Sequence, residues 1–424
     1  MLASILFFVS YFLPGLYSIA WIFIWIIVLA VIIDIITLFK GKPLSATREL
    51  PDKLSNSDAN QLEMNLQNHF PFQLQVEVID EIPEQFQKRD FKLELSLKAY
   101  EETKEKYFLT PRDRGVYHFG RLHCFCISPI NLIKRKVSFD KSGDVKVYPS
   151  FIQMRKYDFL SLAPQHQIGI KKVRRIGHTM EFEQIKEYVK GDDIRTINWK
   201  ATSKRAKLMV NQYQDERSQS IFSVIDQGRV MQMPFNGLSL LEYSINAALS
   251  FSNIALKKKD KTGVVSFSNK IDQLVKPSAN KTQLTRIMES LYSVDTDFSI
   301  SDFGNLYIQL KRQLSHRSLL FIYTNFEHLE GMRRQLPYIK ALAKKHLLVI
   351  VLFENIELQE IQDQKVEKVF DVYVKTIAEE MDNDKQVMAQ ELERNGVFTM
   401  LTRPEDLTVN AINKYLEIKS RGIL

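Results

Sequence analysis

The run LYSIAWIFIWIIVLAVIIDIITLF, Leu16 to Phe39, is 24 residues long and holds a single charged side chain, Asp34. A helix that crosses a bilayer core needs about 20 apolar residues, so this stretch commits one end of the chain to a membrane. Before it stands MLASILFFVSYFLPG, whose apolar part is short for a full span and which ends in the break signal Pro14-Gly15. Two topologies stay open: a transmembrane hairpin with a short first helix, or one long anchor preceded by an interfacial segment. A cleaved signal peptide fits less well, because no basic region precedes the apolar core and no small-residue cleavage site follows it. Lys40, Lys42, Arg48 and Lys53 come directly after the long run, so the positive-inside rule puts the rest of the chain in the cytoplasm. Asp34, near the inner end of the span, is expected to reach the headgroup region.

At 424 residues the chain is long enough for about three domains. With 45% apolar and 25% charged residues it has the make-up of a folded chain. A net charge of +8 suits an anionic membrane surface or a nucleic acid and decides between neither. The cysteines are Cys124 and Cys126, in the string HCFC. Two apart on a strand pattern, they share one face and are poorly placed for a mutual disulfide. They read as small buried hydrophobes in a reducing compartment, since no fourth ligand stands near His123 to make a metal site.

From residue 44 to 150 the chain alternates with period two, as in FQLQVEVID, FKLELSLKAY and GVYHFGRLHCFCI, with turn signals at Pro83, Pro111, Gly120 and Ser142-Gly143. This predicts an antiparallel β-sandwich of the immunoglobulin-like kind. Nothing in it has catalytic spacing, so it reads as a spacer or interaction domain. From 218 to 424 the period changes. SIFSVID, GVVSFS, LLFIYTN, HLLVIVLFE and VFTML are apolar throughout and alternate with helical stretches. That pattern predicts a doubly wound α/β domain, whose ligands bind at the carboxyl ends of the strands.

Between the two lies EYVKGDDIRTINWKATSKRAKLMV. As a catalytic acid pair, Asp192 and Asp193 are awkward, because neighbours on an extended chain face opposite ways and no His or Cys stands in the stretch. As a nucleic-acid grip, Lys200, Lys204, Arg205 and Lys207 flank Trp199, yet residues 171 to 217 carry only 12 basic against 7 acidic side chains. No nucleic-acid partner is therefore expected. The structural reading is stronger: a Gly191 turn, Asp193 pairing with Arg195 or capping the next helix, and Trp199, Ile197 and Met209 as buried anchors. Such a segment would clamp the α/β domain to the β-domain or to a partner.

The same residues carry a resemblance. The run from Arg174 to Glu216, followed by a strand ending in Asp226, resembles the bacterial DUF58 family, whose signature reads roughly R-x-Y-x-x-G-D-x-x-R-x-I-x-W-x-x-x-A-R ahead of a von Willebrand factor A-like domain. Glu187, Tyr188, Gly191, Asp192, Asp193, Arg195, Ile197, Asn198, Trp199, Lys200 and Arg205 match it. Lys186 stands where Arg is common, and Asn198 where Asp is common. The anchored front, the β-rich middle and the string YPSF, Tyr148 to Phe151, are similar to the same family, so 151–217 reads as the signature segment and 1–40 as the anchor. The resemblance implies a bacterial inner membrane protein and a MoxR-type AAA+ ATPase as partner.

A von Willebrand A domain commonly holds Mg²⁺ through D-x-S-x-S, a Thr and a further Asp. Here the string is DQGRVM: Asp226 stays, Gly228 and Val230 replace both serines, and Arg229 adds a cation. Asn325 stands at the second acid, with Thr262 or Thr324 as remaining oxygen donors. One carboxylate with few helpers is a poor Mg²⁺ site, so no cofactor is expected and the loop reads as a docking surface in which Arg229 takes the place of the ion's charge. The expectation is an adaptor or scaffold, not an enzyme, that presents an AAA+ ATPase with a membrane-associated client. Its rival is a metal-dependent hydrolase using Asp192, Asp193 and Asp226.

Overall fold

The computed structural model describes residues 16–88, 91–162, 181–189, 192–205, 207–214, 219–363 and 368–423. The first apolar segment, and with it the choice between hairpin and single anchor, lies outside the described residues. So does Gly191. The chain forms two compact units, Met1–Val147 and Tyr148–Leu424.

The first unit opens with the helix Leu16–Phe39, of which Tyr17–Phe39 is long and apolar enough to cross a membrane. Ile22, Trp25, Ile26, Leu29, Ile33 and Ile36 all stand exposed. A helix that is apolar all round and uncovered fits lipid, not water. Its last turn is different, because Leu38 is buried in the core of the β-structure that follows. Asp34 corrects the expectation of a headgroup contact. It is fully buried, and its Oδ2 accepts hydrogen bonds from the backbone N–H groups of Leu132 (3.3 Å) and Ile133 (3.1 Å).

Ten strands follow: β1 (Leu44–Glu49), β2 (Lys53–Ser55), β3 (Asn60–Asn68), β4 (Leu74–Asp80), β5 (Lys92–Leu97), β6 (Glu102–Leu109), β7 (Gly115–Phe119), β8 (Leu122–Ile127), β9 (Lys134–Phe139) and β10 (Gly143–Tyr148). They pair as β1-β3-β6, β2-β10-β7 and β5-β4-β8-β9 and share one core. Period two decides which side chains enter it: Leu62, Met64 and Leu66 of β3 point in, while Gln61 and Gln67 point out. Cys124 and Cys126 are both buried and free, and burial pushes their thiols up to about 12 and about 11. His123 faces the other way, onto Glu81 and Ser138. The core also encloses a charged group. Arg48 pairs with Asp80, donates to the carbonyls of Gly120 and Lys141 (3.0 and 2.6 Å), and Tyr107 Oη donates to Asp80 at 2.7 Å. Buried charges persist when paired and hydrogen-bonded in this way.

The second unit holds a hairpin-like pair, β11 (Glu181–Glu187) and β12 (Met209–Gln214), then β13 (Ser220–Asp226), the short pair β14 (Pro234–Phe235) and β15 (Leu238–Ser239), β16 (Lys261–Phe267), β17 (Ile271–Ser278), β18 (Leu319–Tyr323), β19 (Leu347–Phe353) and β20 (Phe398–Thr402). Six of these form one sheet in the order β17-β16-β13-β18-β19-β20. All neighbours in it are parallel except the edge strand β17. Apolar side chains alternate between its two faces. Ile221 and Ile225 meet the helices Leu240–Lys257 and Leu407–Arg421 on one side, and Phe222 and Val224 meet Phe303–Gln313 and Leu329–Ala343 on the other. A strand buried on both faces must be apolar at every position, which is why SIFSVID lacks alternation. The string YPSF is fixed to the same unit: Tyr148 hydrogen-bonds Glu289 at 3.0 Å, and the Ser150 N–H donates to Asn246 Oδ1 at 2.8 Å.

Candidate functional site

In chain order the six strands run outward in both directions from β13, so the connections change direction between β13 and its neighbour β18. At such a reversal the helices diverge and leave a crevice beyond the carboxyl ends of the strands. Asp226 ends β13 at that place. Its carboxylate is fully buried and held by three protein donors: Ser301 Oγ at 2.5 Å and the Gly228 N–H at 2.8 Å on Oδ1, and Thr324 Oγ1 at 2.6 Å on Oδ2. Burial pushes the carboxyl above its ordinary range, and these hydrogen bonds, which favour the anion, only partly oppose that.

Gly228 is there for a steric reason. A Cβ on it would lie 2.2 Å from Ser301 Oγ and 3.0 Å from Asp226 Oδ1. The hydroxyl missing from the loop after β13 is thus supplied by Ser301, 75 residues downstream of Asp226. Thr324 is placed as a donor, whereas Thr262 sits near the amino end of β16, opposite Ile221 at the start of β13 and away from the carboxyl ends of the strands. Arg229 corrects a second expectation: its guanidinium pairs with Glu327 at 3.3 Å, both side chains half exposed, and does not cover Asp226. The cation that does enter the loops comes from the helix Val369–Arg394. Lys385 Nζ donates to Asn325 Oδ1 and, at 2.6 Å, to the Phe326 carbonyl. Burial pushes this ammonium down to about 8.

These residues do not fit Mg²⁺, the ion the sequence resemblance implies. Mg²⁺ needs oxygen ligands in near-octahedral order. Here both oxygens of one carboxylate are occupied by protein donors, and the side-chain oxygen of Asn325 already faces an ammonium. Asp297, whose charge opposes ionisation of Asp226, is itself held by Ser268 and Ser299. Among the described residues no group of three or more His, Cys, Asp or Glu side chains is placed to hold a metal.

The signature residues occupy the connection between β11 and β12. Where the connection leaves the pair, the Tyr188 N–H donates to the Leu208 carbonyl, and from within the connection the Asn198 N–H donates to the Met209 carbonyl, both at 2.8 Å. Each acid serves a local turn. Asp192 accepts from Lys186 Nζ and the Val189 N–H, both 2.9 Å, and the lysine holds its carboxyl below the usual range. Asp193 caps the 3₁₀ turn Ile194–Thr196 by accepting from the Arg195 N–H at 2.9 Å. Asn198 accepts from the Ala201 N–H at 3.0 Å at the start of the helix Trp199–Arg205, and its Nδ2 donates to Asn211 at 2.8 Å. An Asp at 198 would cap equally well but has no proton to give Asn211. Glu187 pairs with Lys207 at 2.8 Å.

The buried-anchor expectation holds for Met209, 2% exposed, and fails for Trp199, 71% exposed. Ile197 lies between, half-buried. Val189, Ile194 and Leu208 also stand exposed, with Lys200, Lys204 and Arg205 exposed beside them in sequence. The segment is therefore a small two-stranded platform whose connection shows apolar and basic side chains to the outside.

Residues 184–390 match the model of the family described as "Protein of unknown function DUF58". The "Uncharacterized protein YeaD" of Bacillus subtilis (strain 168) is 23% identical over 121 residues, 28% of this chain and 30% of that protein's length. Among solved structures, the conserved hypothetical protein BatB from Bacteroides thetaiotaomicron is similar over 48% of this chain and 99% of its own, at 13% identity and a TM-score of 0.33. An aerotolerance-related membrane protein from Bacteroides fragilis NCTC 9343 is similar over the same shares at 11% identity and a TM-score of 0.30. Residues 184 to 390, across the platform and most of the α/β sheet, are thus the part of the chain that is similar to the DUF58 family.

Proposed function

We propose that this protein is a membrane-anchored adaptor that binds protein partners and carries out no chemistry of its own. In this reading the Tyr148–Leu424 unit is a von Willebrand A-like domain whose cation site has closed on itself, and the soluble units face the cytoplasm. The partner is a MoxR-type AAA+ ATPase, brought beside a membrane-associated client. One observation carries the reading: the signature connection turns Trp199, Ile194, Val189 and Leu208 outward. A Trp that is 71% exposed on a hydrogen-bonded platform has no structural role to fill. Large aromatic side chains displayed beside cations are the composition of interface hot spots. Asp192 and Asp193, each used in a turn or cap, and Glu187, paired with Lys207, offer no reacting pair.

The test is a photo-crosslinking residue placed at Trp199 in the full chain in its native membrane. The expected adduct is an AAA+ ATPase, lost when Ile194 is changed to Ser in the same chain. Adducts with no AAA+ ATPase among them, or crosslinking indifferent to Ile194, would count against the assignment.

A further inference from the structure

We propose that the turn joining β8 to β9, Ser128–Ile133, is a second membrane contact: a wedge whose apolar tip enters the bilayer beside the anchor helix and whose basic flank meets anionic headgroups. This rests on the reading of Leu16–Phe39 as a membrane span.

The argument begins with depth. Asp34 lies five residues before Phe39, the last residue of the helix, which at 1.5 Å per residue is roughly 7–8 Å up the axis. Its Oδ2 accepts from the N–H groups of Leu132 and Ile133. The turn is therefore held alongside the span and not beneath it. A carboxylate in a membrane helix is costly unless it is partnered, and the two backbone donors of the turn partner one of its oxygens, Oδ2, at this depth.

The composition of the turn follows the layers of a bilayer. Its tip is closed by the Asn131 N–H donating to the Ser128 carbonyl at 3.0 Å, with Pro129 at the position where its fixed φ suits a turn. Asn131 takes the positive φ of 59°. Ile130 and Leu132 are 47% and 48% exposed, at the level where Ile35 and Ile36 of the helix are exposed too. Single exposed apolar residues on a soluble surface need no explanation, but Leu132 is itself hydrogen-bonded to a membrane span, and Ile130 stands two residues before it in the same turn. Directly afterwards come Lys134, Arg135 and Lys136. Arg135 donates to the carbonyls of Leu38 (2.7 Å) and Gly41 (3.0 Å) and lies 4.8 Å over the Phe39 ring. It thereby satisfies the unpaired carbonyls at the helix end. Lys134 pairs with Glu77 at 2.9 Å; Arg135 and Lys136, with Lys40 and Lys42 on the helix side, supply the basic flank that anionic lipid phosphates attract.

The experiment uses the full chain in nanodiscs of zwitterionic and anionic lipid, with an environment-sensitive fluorophore on Ile130→Cys or Leu132→Cys. Both sites are exposed, so neither substitution disturbs the core, and the native thiols are buried. Lys104→Cys on β6 reports solvent, and Ile26→Cys reports the span. Lipids carrying a quencher on the acyl chain are expected to quench labels 130 and 132 at least three-fold more than label 104. If label 26 is quenched while 130 and 132 match 104, the wedge is wrong and the span stands. If label 26 also matches 104, the span reading falls and the wedge with it.

Discussion

At the residue scale the molecule turns on how Asp226 is satisfied. Three donors converge on it, from Ser301, Thr324 and the Gly228 backbone. A buried donor left without its acceptor costs about 1–3 kcal/mol, so Asp226→Ala is expected to destabilise the sheet unit by roughly 3–5 kcal/mol in chemical denaturation. Asp226→Asn keeps an acceptor and should cost less. The sign of the pH effect follows from the raised carboxyl. Between the ordinary carboxylate value and the raised one, the folded state holds the proton more firmly than the unfolded chain does. The contribution of Asp226 to stability is thus full below the ordinary value and declines as pH rises through that window. Wild type should lose ground against Asp226→Asn over the same range. Added Mg²⁺ should shift the melting temperature of neither, and a rise confined to wild type would show the carboxylate open to an ion after all. Asp226 was legible because an acid ended an apolar strand. Ser301 was not, since a hydroxyl 75 residues away leaves no local trace, and Lys385 was hidden on a helix whose own pattern gives no hint of the loop it enters. Arg229 was misjudged for the opposite reason: proximity in sequence suggested a charge partner, but Glu327, in the neighbouring loop, offers it a carboxylate without loss of hydration.

At the level of elements, side chains that act on their own neighbours were the readable ones. Asp193, expected to pair with Arg195 or to cap the next helix, accepts from the Arg195 N–H two positions ahead and caps the 3₁₀ turn, while the helix cap falls to Asn198. The alternation of β3 and the unbroken apolar runs of β13 and β19 follow from one or two buried faces. The direction of Trp199 was not readable. A helix of seven residues is too short for its period to mark an inner face, and a Trp is as much at home in a core as at an interface. This separates two roles within one motif. Asn198→Ala removes the cap and the tie to Asn211, at about 1 kcal/mol, and should speed hydrogen exchange over 199–210. Trp199→Ala should leave the same amides within the ±0.5 kcal/mol typical of surface changes. Equal loosening by both would mean that Trp199 holds the platform together and does not serve a partner. The helix Val369–Arg394 shows the same division along its length. Its far half buries Met388 and Leu392, while Phe370, Tyr373 and Ile377 of its near half stand exposed.

For the whole molecule, the decisive fact is that each unit has cores of its own. The β-unit is filled by side chains of its strands together with Leu38 of the anchor, and the sheet unit by helices on two faces. Units that bury their own apolar surface are expected to open independently. Asp80 provides the means to test this, because it is the counter-charge of the buried Arg48 and the acceptor for Tyr107. Asp80→Ala leaves a guanidinium in the core with two carbonyls and no anion, a change that typically costs about 3–5 kcal/mol. Amides of β1, β3, β4 and β8 should then exchange about 100-fold faster or more, since every 1.4 kcal/mol is a factor of ten. Those of β13, β18 and β19 should keep their rates. Equal acceleration in both sets would mean that the chain unfolds as one body. A silent substitution would mean that water reaches Arg48 and that the charge group does not belong to the core. The expected split, with only the Met1–Val147 unit loosened, would show that the buried charge group stabilises its own unit and not the Tyr148–Leu424 unit.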